Sequence, residues 1–125
     1  MTKTVLIVDD SSTVLMSVES MLKRLGLNVE KAQDGVDAET KLNSGFKPDL
    51  IITDINMPKM DGIQLIGKIR GMPALRFTPV LVLTTEQEQG KRNEARAKGA
   101  TGYLVKPVTG DQLKGVINQV LPGVC

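Results

Sequence analysis

The feature that most constrains the fold is a regular alternation of short strand-like runs with longer helical segments along the whole chain of 125 residues. Runs rich in aliphatic and β-branched residues predict five strands, at Val5–Val8, Val29–Ala32, Leu50–Thr53, Val80–Leu83 and Tyr103–Val105. The first, third and fourth runs are almost continuously apolar, which is typical of strands covered on both faces. Because strand and helix alternate strictly, we predict a parallel sheet with right-handed crossovers and helices on both faces, which is a doubly wound α/β domain.

Helical periodicity fills the intervals between the predicted strands. Apolar side chains recur on one helical face in three segments, which are Val14, Val18, Met21, Leu22 and Leu25, then Ile63, Ile66 and Ile69, and finally Leu113, Val116, Ile117 and Val120. Capping residues predict helix starts at Ser11 or Ser12, at Asp34, at Asp61 and at Thr109, and glycines predict stops at Gly26, Gly45 and Gly99.

The helical segment Lys91–Lys98 differs from the others, because it carries four basic residues and has only alanines to bury. We expect this helix to be weakly anchored. It is either a solvated surface helix or a mobile, partner-facing element.

Composition indicates one ordinary globular domain. The chain is 41% hydrophobic and 24% charged, and its length suits a single compact unit. We therefore expect residues 1–125 to form one domain with no output domain, ending in a fraying tail at Leu121–Cys125. A net charge of +2, scattered basic residues and 2% aromatics disfavour nucleic-acid binding. No apolar run is long enough for a signal peptide or a membrane span, so we expect a cytoplasmic protein.

Acidic residues directly follow two of the predicted strands. Asp9 and Asp10 come after Val5–Val8, and Asp54 comes after Leu50–Thr53. The carboxyl ends of parallel strands meet at one edge of a sheet, so these side chains should converge, although each alone could be a helix cap or a turn former. Converging carboxylates raise each other's pKa unless a cation neutralises them. Oxygen ligands in a chain without histidine favour Mg²⁺ as that cation.

Lys106 and Thr84 end the last two predicted strands and should reach the same edge. An ordinary surface lysine and an ordinary strand threonine are the alternatives. A lysine at this edge would oppose the carboxylates as a compact positive charge. A carboxylate beside a metal and a lysine can attack phosphorus. Asp54 suits that role because it ends a central strand, whereas Asp9 and Asp10 suit holding the cation.

Several motifs then occur in a fixed order along the whole chain. They are Asp9-Asp10-Ser11, Asp54 followed by Met57-Pro58-x-Met60-Asp61-Gly62, then Thr84, and finally Lys106-Pro107. With these motifs the chain resembles the receiver domain of two-component response regulators, of the stand-alone chemotaxis (CheY-like) type. The resemblance implies a five-stranded flavodoxin-like sheet of order 2-1-3-4-5.

The resemblance also implies the roles of the site residues. Asp54 would accept a phosphoryl group from a histidine kinase. Asp10 would bind Mg²⁺ directly, Asp9 would bind it through water, and Asn56 would contribute its backbone carbonyl. Lys106 would contact the phosphoryl oxygens, next to a cis peptide bond with Pro107.

The resemblance further implies a switch and a set of partners. Thr84 would bond the phosphoryl group and Tyr103 would swing inward behind it, so that the face formed by the fourth helix, the fifth strand and the fifth helix binds a target. That target would be a protein such as a flagellar motor switch component, and a phosphatase would be a further partner. Asn56 and Glu86 resemble the pair found in chemotaxis receivers with short-lived phosphorylation. Such a protein assists its own phosphorylation and dephosphorylation in a phosphorelay and is not an enzyme.

Three alternative functions would place their site in the same crevice. A flavodoxin-like module would bind a flavin or a nucleotide, but the first turn is acidic where a phosphate cradle is glycine-rich, and the chain has no tryptophan to stack on a flavin. A phosphoester hydrolase would use Asp54, but Asn56 stands where such enzymes carry a second aspartate. A receiver in a relay other than chemotaxis stays open.

Overall fold

The computed structural model describes residues 3–85 and 89–121. The strands are β1 (Thr4–Val8), β2 (Asn28–Ala32), β3 (Leu50–Thr53), β4 (Val80–Thr84) and β5 (Gly102–Val105). The helices are α1 (Ser12–Arg24), α2 (Gly35–Asn43), α3 (Gly62–Arg70), α4 (Gln89–Lys98) and α5 (Gly110–Val120), with a short 3₁₀ helix at Pro73–Leu75. Glu86 and residues 122–125 of the predicted tail lie outside the described residues.

All five strands are parallel and follow the order β2-β1-β3-β4-β5. The predicted doubly wound α/β fold is therefore confirmed, and each predicted strand boundary lies within one residue of the observed one. This order makes β3 the central strand and β2 and β5 the edges. It is the order that the resemblance implied, and it agrees with right-handed crossovers, which place consecutive strands as neighbours or near neighbours.

Two apolar layers cover the sheet, one on each face. The side chains of α2, α3 and α4 pack on one face, around residues such as Leu6 and Val82. The side chains of α1 and α5 pack on the other face, around Ile7 and Leu81. Every residue of β3 and β4 is buried, whereas β2 and β5 are partly exposed. The carboxyl ends of the central strands are thus held at fixed positions by packing from both sides.

Helix termini follow the predicted signals. Ser11 caps α1, and its hydroxyl accepts a hydrogen bond from the Val14 amide at 3.3 Å. Asp61 and Thr109 each form a reciprocal capping box with the glutamine three residues later. Each of the three predicted stop glycines has a positive φ angle, which side chains disfavour, and they are Gly26, Gly45 and Gly99.

Two expectations need correction, and the burial of one further residue was not predicted. Leu121 is not part of a fraying tail, because its side chain is half-buried against the layer formed with α1 and α5. Leu65 is completely buried although the helical pattern omitted it, since α3 contacts both α2 and α4 and therefore buries a wider face. The described part of helix α4, Gln89–Lys98, includes two residues before the predicted Lys91, and Ala95 is the one buried residue in it, as its composition predicts. No helix in the described ranges combines the length and apolarity that a bilayer span needs.

Candidate functional site

Asp9 and Asp54 extend β1 and β3 by one residue at the carboxyl edge of the sheet. The Asp9 amide donates to the Ala32 carbonyl at 3.1 Å, and the Asp54 amide donates to the Val8 carbonyl at 3.0 Å. Because β1 and β3 are neighbours, the two carboxylates emerge side by side. Asp10 joins them, and ligand oxygens of the three residues all lie within 4.8 Å of one another.

Lys106 reaches this acidic cluster from β5, across the end of β4. Its amide donates to the Thr84 carbonyl at 2.9 Å, and its peptide bond to Pro107 is cis. Its ammonium lies 2.7 Å from Asp9 Oδ2 and 3.2 Å from Asp54 Oδ2, with the lysine side chain 16% exposed. One cation therefore bridges the carboxylates of two neighbouring strands.

Backbone amides hold the other oxygen of each bridged carboxylate. The Ile55 amide donates to Asp54 Oδ1 at 2.8 Å, and the Ser11 amide donates to Asp9 Oδ1 at 2.9 Å. Each carboxylate is thus fixed by one backbone donor and one ammonium. Asp10 is exposed, and within the described part of the chain its carboxylate has no hydrogen-bond or ion-pair partner. A cation from solvent can therefore reach the cluster at Asp10.

The electrostatics of the pocket favour binding a further cation. Burial raises the pKa of Asp9 and the charge of Asp54 adds to this, while the hydrogen bonds from Lys106 and from the Ser11 amide oppose it. Burial works to lower the pKa of Lys106, yet the hydrogen bond to Asp9 and the charges of both carboxylates outweigh it, so that the pKa is raised. One ammonium faces three carboxylates, and the donors are all oxygens, so the residues present fit Mg²⁺.

Gly62 allows the end of β3 and the start of α3 to meet. A Cβ atom at this position would collide with the backbone carbonyl oxygen of Asp54. The Gly62 amide instead donates to the Ile55 carbonyl at 2.8 Å, which ties the first turn of α3 to the residue after Asp54. The sequence motif included Gly62, but its physical reason is this close approach of two backbones.

The remaining predicted site residues lie at different distances from solvent. Thr84 is completely buried at the end of β4, between the strands that carry Asp54 and Lys106. Asn56 is exposed in the loop two residues after Asp54. Tyr103 is half-buried on the edge strand β5 and packs against the layer formed with α2, α3 and α4. The predicted convergence of the three aspartates and Lys106 at one edge is thus observed, whereas Tyr103 lies further back along β5.

Sequence reasoning missed the backbone donors of the site. The amides of Ile55 and Ser11 fix the two buried carboxylates, and no residue type signals an amide that points into a pocket. The turn that follows each strand was the signal that could have found them, since backbone amides in such turns commonly donate a hydrogen bond to a carboxylate.

An acidic pocket opposite a lysine, at the carboxyl edge of a parallel sheet of order 2-1-3-4-5, is the arrangement that the sequence motifs implied. A family model described as the response regulator receiver domain matches residues 5–118. The chain therefore belongs to the response regulator receiver family, whose members are signalling proteins that bind Mg²⁺ at the acidic site.

Within this family the chain is of the chemotaxis, CheY-like type. It is 40% identical over 117 residues to chemotaxis protein CheY-3 of Vibrio cholerae, which covers 93% of this chain and 89% of the relative. It is 40% identical over 121 residues to chemotaxis protein CheY of Pseudomonas aeruginosa, with 96% and 97% covered. The predicted resemblance is therefore confirmed.

Solved structures agree with these relatives. The structure of CheY4 of Vibrio cholerae superimposes with a TM-score of 0.91 at 40% identity, covering 97% of this chain and all of that one (100%). The receiver domain of the sensor histidine kinase PA1611 of Pseudomonas aeruginosa has a TM-score of 0.86 at 27% identity, with 95% and 97% covered. That structure has magnesium coordinated in its active site cleft.

Proposed function

We propose that Asp54 accepts a phosphoryl group from the phosphohistidine of a histidine kinase, in a Mg²⁺-dependent reaction. The observation that carries this proposal is the setting of the Asp54 carboxylate. It ends the central strand, its side chain is 8% exposed, and one of its oxygens lies 3.2 Å from the Lys106 ammonium. A carboxylate held rigidly beside a cation is a positioned nucleophile.

In the transfer, an oxygen of Asp54 forms a bond to phosphorus while the bond from phosphorus to the histidine nitrogen breaks. The imidazole leaves and takes a proton from solvent. The Lys106 ammonium donates to an Asp54 oxygen in the resting protein, and it lies close enough to donate to the phosphoryl oxygens after the transfer. Asp9, Asp10, Asp54 and the Asn56 carbonyl would hold Mg²⁺, which supplies positive charge against the developing phosphoryl charge.

Phosphorylation would change the balance of charge around Lys106. The phosphoryl group adds about two negative charges. Its oxygens would compete with Asp9 for the Lys106 ammonium, which in the resting protein lies 2.7 Å from the Asp9 carboxylate. Thr84, buried at the end of the next strand, would contribute its hydroxyl to the same group. The carboxyl ends of β4 and β5, which carry Thr84 and Lys106, would therefore be the first elements to change their contacts after the transfer.

Helix α4 is the element that can respond most readily. Among its described residues only Ala95 is buried, so its displacement exposes little apolar surface. The face formed by α4, β5 and α5 would then bind a downstream target, such as a flagellar motor switch component, and a phosphatase would end the signal. We propose that the protein acts in this way as a stand-alone cytoplasmic response regulator of chemotaxis, as one domain without catalytic turnover of its own.

Labelling by acetyl phosphate tests the acceptor. We expect one phosphoryl group per chain in the wild type and none in Asp54→Asn. Asp49→Asn is the matched control, because Asp49 precedes the same strand at its opposite end, where its carboxylate accepts from the Thr4 amide at 2.8 Å. Labelling of Asp54→Asn at the wild-type level would reject the acceptor assignment.

Metal titration tests the acidic cluster separately. Asp10→Ala removes the exposed carboxylate without touching the bonds that Lys106 makes to Asp9 and Asp54. We expect its Mg²⁺ affinity to fall at least about tenfold, since the loss of a residue that only supports a metal ligand already costs about 10–100-fold. Equal Mg²⁺ affinity in Asp10→Ala and the wild type would count against this pocket as the metal site.

A further inference from the structure

Helix α4 meets the edge strand β5 through an unusual side-chain contact. The guanidinium carbon of Arg92 lies 4.3 Å from the centroid of the Tyr103 ring. This is inside the range of about 6 Å in which a cation over an aromatic face is attracted by the ring. Arg92 is half-buried, although α4 is otherwise exposed apart from Ala95 and the half-buried Lys91.

The Nε atom of Arg92 is buried and has no hydrogen-bond partner among the described residues. A long cationic side chain normally extends its head into water, where every donor is satisfied. Arg92 instead keeps this donor out of water while its guanidinium covers the ring. The Arg92 side chain thus lies inward over the Tyr103 ring although one of its donors is left without a partner.

Among the described residues, no acidic side chain holds Arg92. The ion pairs found among residues 3–85 and 89–121 include none with Arg92 or with Arg96, one turn further along α4. Both arginines line the cleft between α4 and β5, and Tyr103 lies in the same cleft. Within residues 3–85 and 89–121, the Tyr103 ring is the side chain with which the Arg92 guanidinium interacts.

We propose that Arg92 is a positioning residue for Tyr103, which restrains the ring in the resting protein and couples its movement to α4. Tyr103 cannot leave its position without separating from Arg92 or carrying α4 with it. The restraint itself follows from the stacked geometry. Its consequence for signalling, which is a higher threshold for activation, rests on the proposed function.

The sequence supplies a specific optical probe for this proposal. Tyr103 is the one tyrosine of the chain, and the chain contains no tryptophan. Tyrosine fluorescence of the purified protein therefore reports on this ring alone. Quenching by acrylamide measures how accessible the ring is, and it needs neither phosphate nor metal.

The test compares Arg92→Met, Arg92→Lys and Arg96→Met in the resting protein. Methionine keeps the bulk but removes the charge, and we expect the unstacked ring population to rise about two- to fivefold, the factor that a partly exposed cation–π contact supplies. Lysine keeps the charge but not the planar group, so the unstacked ring population of Arg92→Lys should lie between those of Arg92→Met and the wild type. Arg96→Met removes a neighbouring charge from the same cleft and should leave quenching unchanged.

Equal quenching in Arg92→Met and the wild type, or equal effects of Arg92→Met and Arg96→Met, would overturn the proposal. Were Arg92→Met unable to fold, Arg92→Lys would still decide, since wild-type quenching in that variant would show that the planar group does not restrain the ring.

Titration with beryllofluoride and Mg²⁺, a mimic of the phosphoryl group, tests the consequence. The tyrosine signal of Arg92→Met should reach its activated value at a concentration about two- to fivefold lower than in the wild type. An unchanged or higher midpoint would overturn the coupling. Absence of any response in the wild type would contradict the proposed function. The quenching experiment would still test whether Arg92 restrains the Tyr103 ring, because it is made on the resting protein.

Discussion

Removing the Lys106 ammonium would leave the two buried carboxylates of the site without their common counter-charge. In Lys106→Met the aliphatic part of the side chain is kept, so the packing changes little. The ion pairs to Asp9 at 2.7 Å and to Asp54 at 3.2 Å are lost together. The carboxylates they leave behind are 5% and 8% exposed, so solvent does not replace the cation effectively.

The magnitude follows from the burial of the three groups. Breaking a fully buried ion pair by removing one partner costs about 3–5 kcal/mol. Because Lys106 keeps 16% of its side chain exposed, we expect the free energy of unfolding without Mg²⁺ to fall by about 2–4 kcal/mol at neutral pH. With a urea slope of about 2 kcal/mol per M, the unfolding midpoint falls by about 1–2 M.

The pH dependence of this loss can be worked out from the two shifted pKa values. The pKa of Lys106 in the folded protein is raised above its ordinary value of 10.5, so its stabilisation is complete below 10.5 and is lost as the pH rises through the folded value. The pKa of Asp9 is raised above 3.8 and rises further once Lys106 is removed. The deficit of Lys106→Met should therefore be full at neutral pH and should narrow as acid protonates Asp9.

Urea unfolding with and without Mg²⁺ measures the effect. Because the metal supplies the missing positive charge, saturating Mg²⁺ should recover part of the lost stability, and the variant should bind Mg²⁺ at least as tightly as the wild type. Lys23→Met is the control, since Lys23 is 61% exposed and its pair with Glu19 at 3.1 Å is screened by solvent and should contribute little to stability. If Lys106→Met lowered the free energy of unfolding no more than this control, Lys106 would not be the counter-charge that stabilises the two buried carboxylates.

Two further substitutions test the scaffold around the site. Gly62→Ala places a Cβ against the Asp54 carbonyl and should lower the free energy of unfolding by about 2–3 kcal/mol, whereas Gly67→Ala, whose Cβ would meet only the Lys98 Cδ at 3.8 Å, should raise it by about 0.5–1 kcal/mol. Thermal unfolding compares the two, and equal effects would argue against the close approach. Arg70 donates to the Gly99 carbonyl at 2.9 Å and also to carbonyls before β4, so Arg70→Lys should cost about 2–4 kcal/mol and speed amide exchange around Gly99. Exchange that matches the wild type there would contradict this role.

The sequence predicted the fold because local and global signals agree along this chain. Apolar runs such as Leu50–Thr53 are short and bounded by turn residues, and the helices between them carry capping residues such as Asp61 and Thr109. Once the sheet is parallel, topology alone brings Asp9, Asp54 and other strand-end residues to one edge. The convergence of the site residues was predictable for the same reason.

Contacts between distant backbones were not predictable in this way. The five hydrogen bonds that Arg70 donates, to carbonyls at Leu75, Arg76, Thr78 and Gly99, depend on where the segment before β4 meets the segment before β5. The stacking of Arg92 on Tyr103 depends on the rotation of α4 against β5. From the sequence, Arg92 is expected to be solvated, because it lies on a helix with few apolar residues. Its partner Tyr103 is eleven residues away and belongs to another element.

The position of the phosphoryl group in the labelled wild-type protein decides whether Asp54 is the phosphoryl acceptor. After reaction with acetyl phosphate and Mg²⁺, reduction with borohydride converts an aspartyl phosphate to a stable product that peptide mass spectrometry can locate. We expect a single modified residue, Asp54, and no modification when the metal is chelated. Modification at another residue, or equal labelling without Mg²⁺, would contradict this assignment.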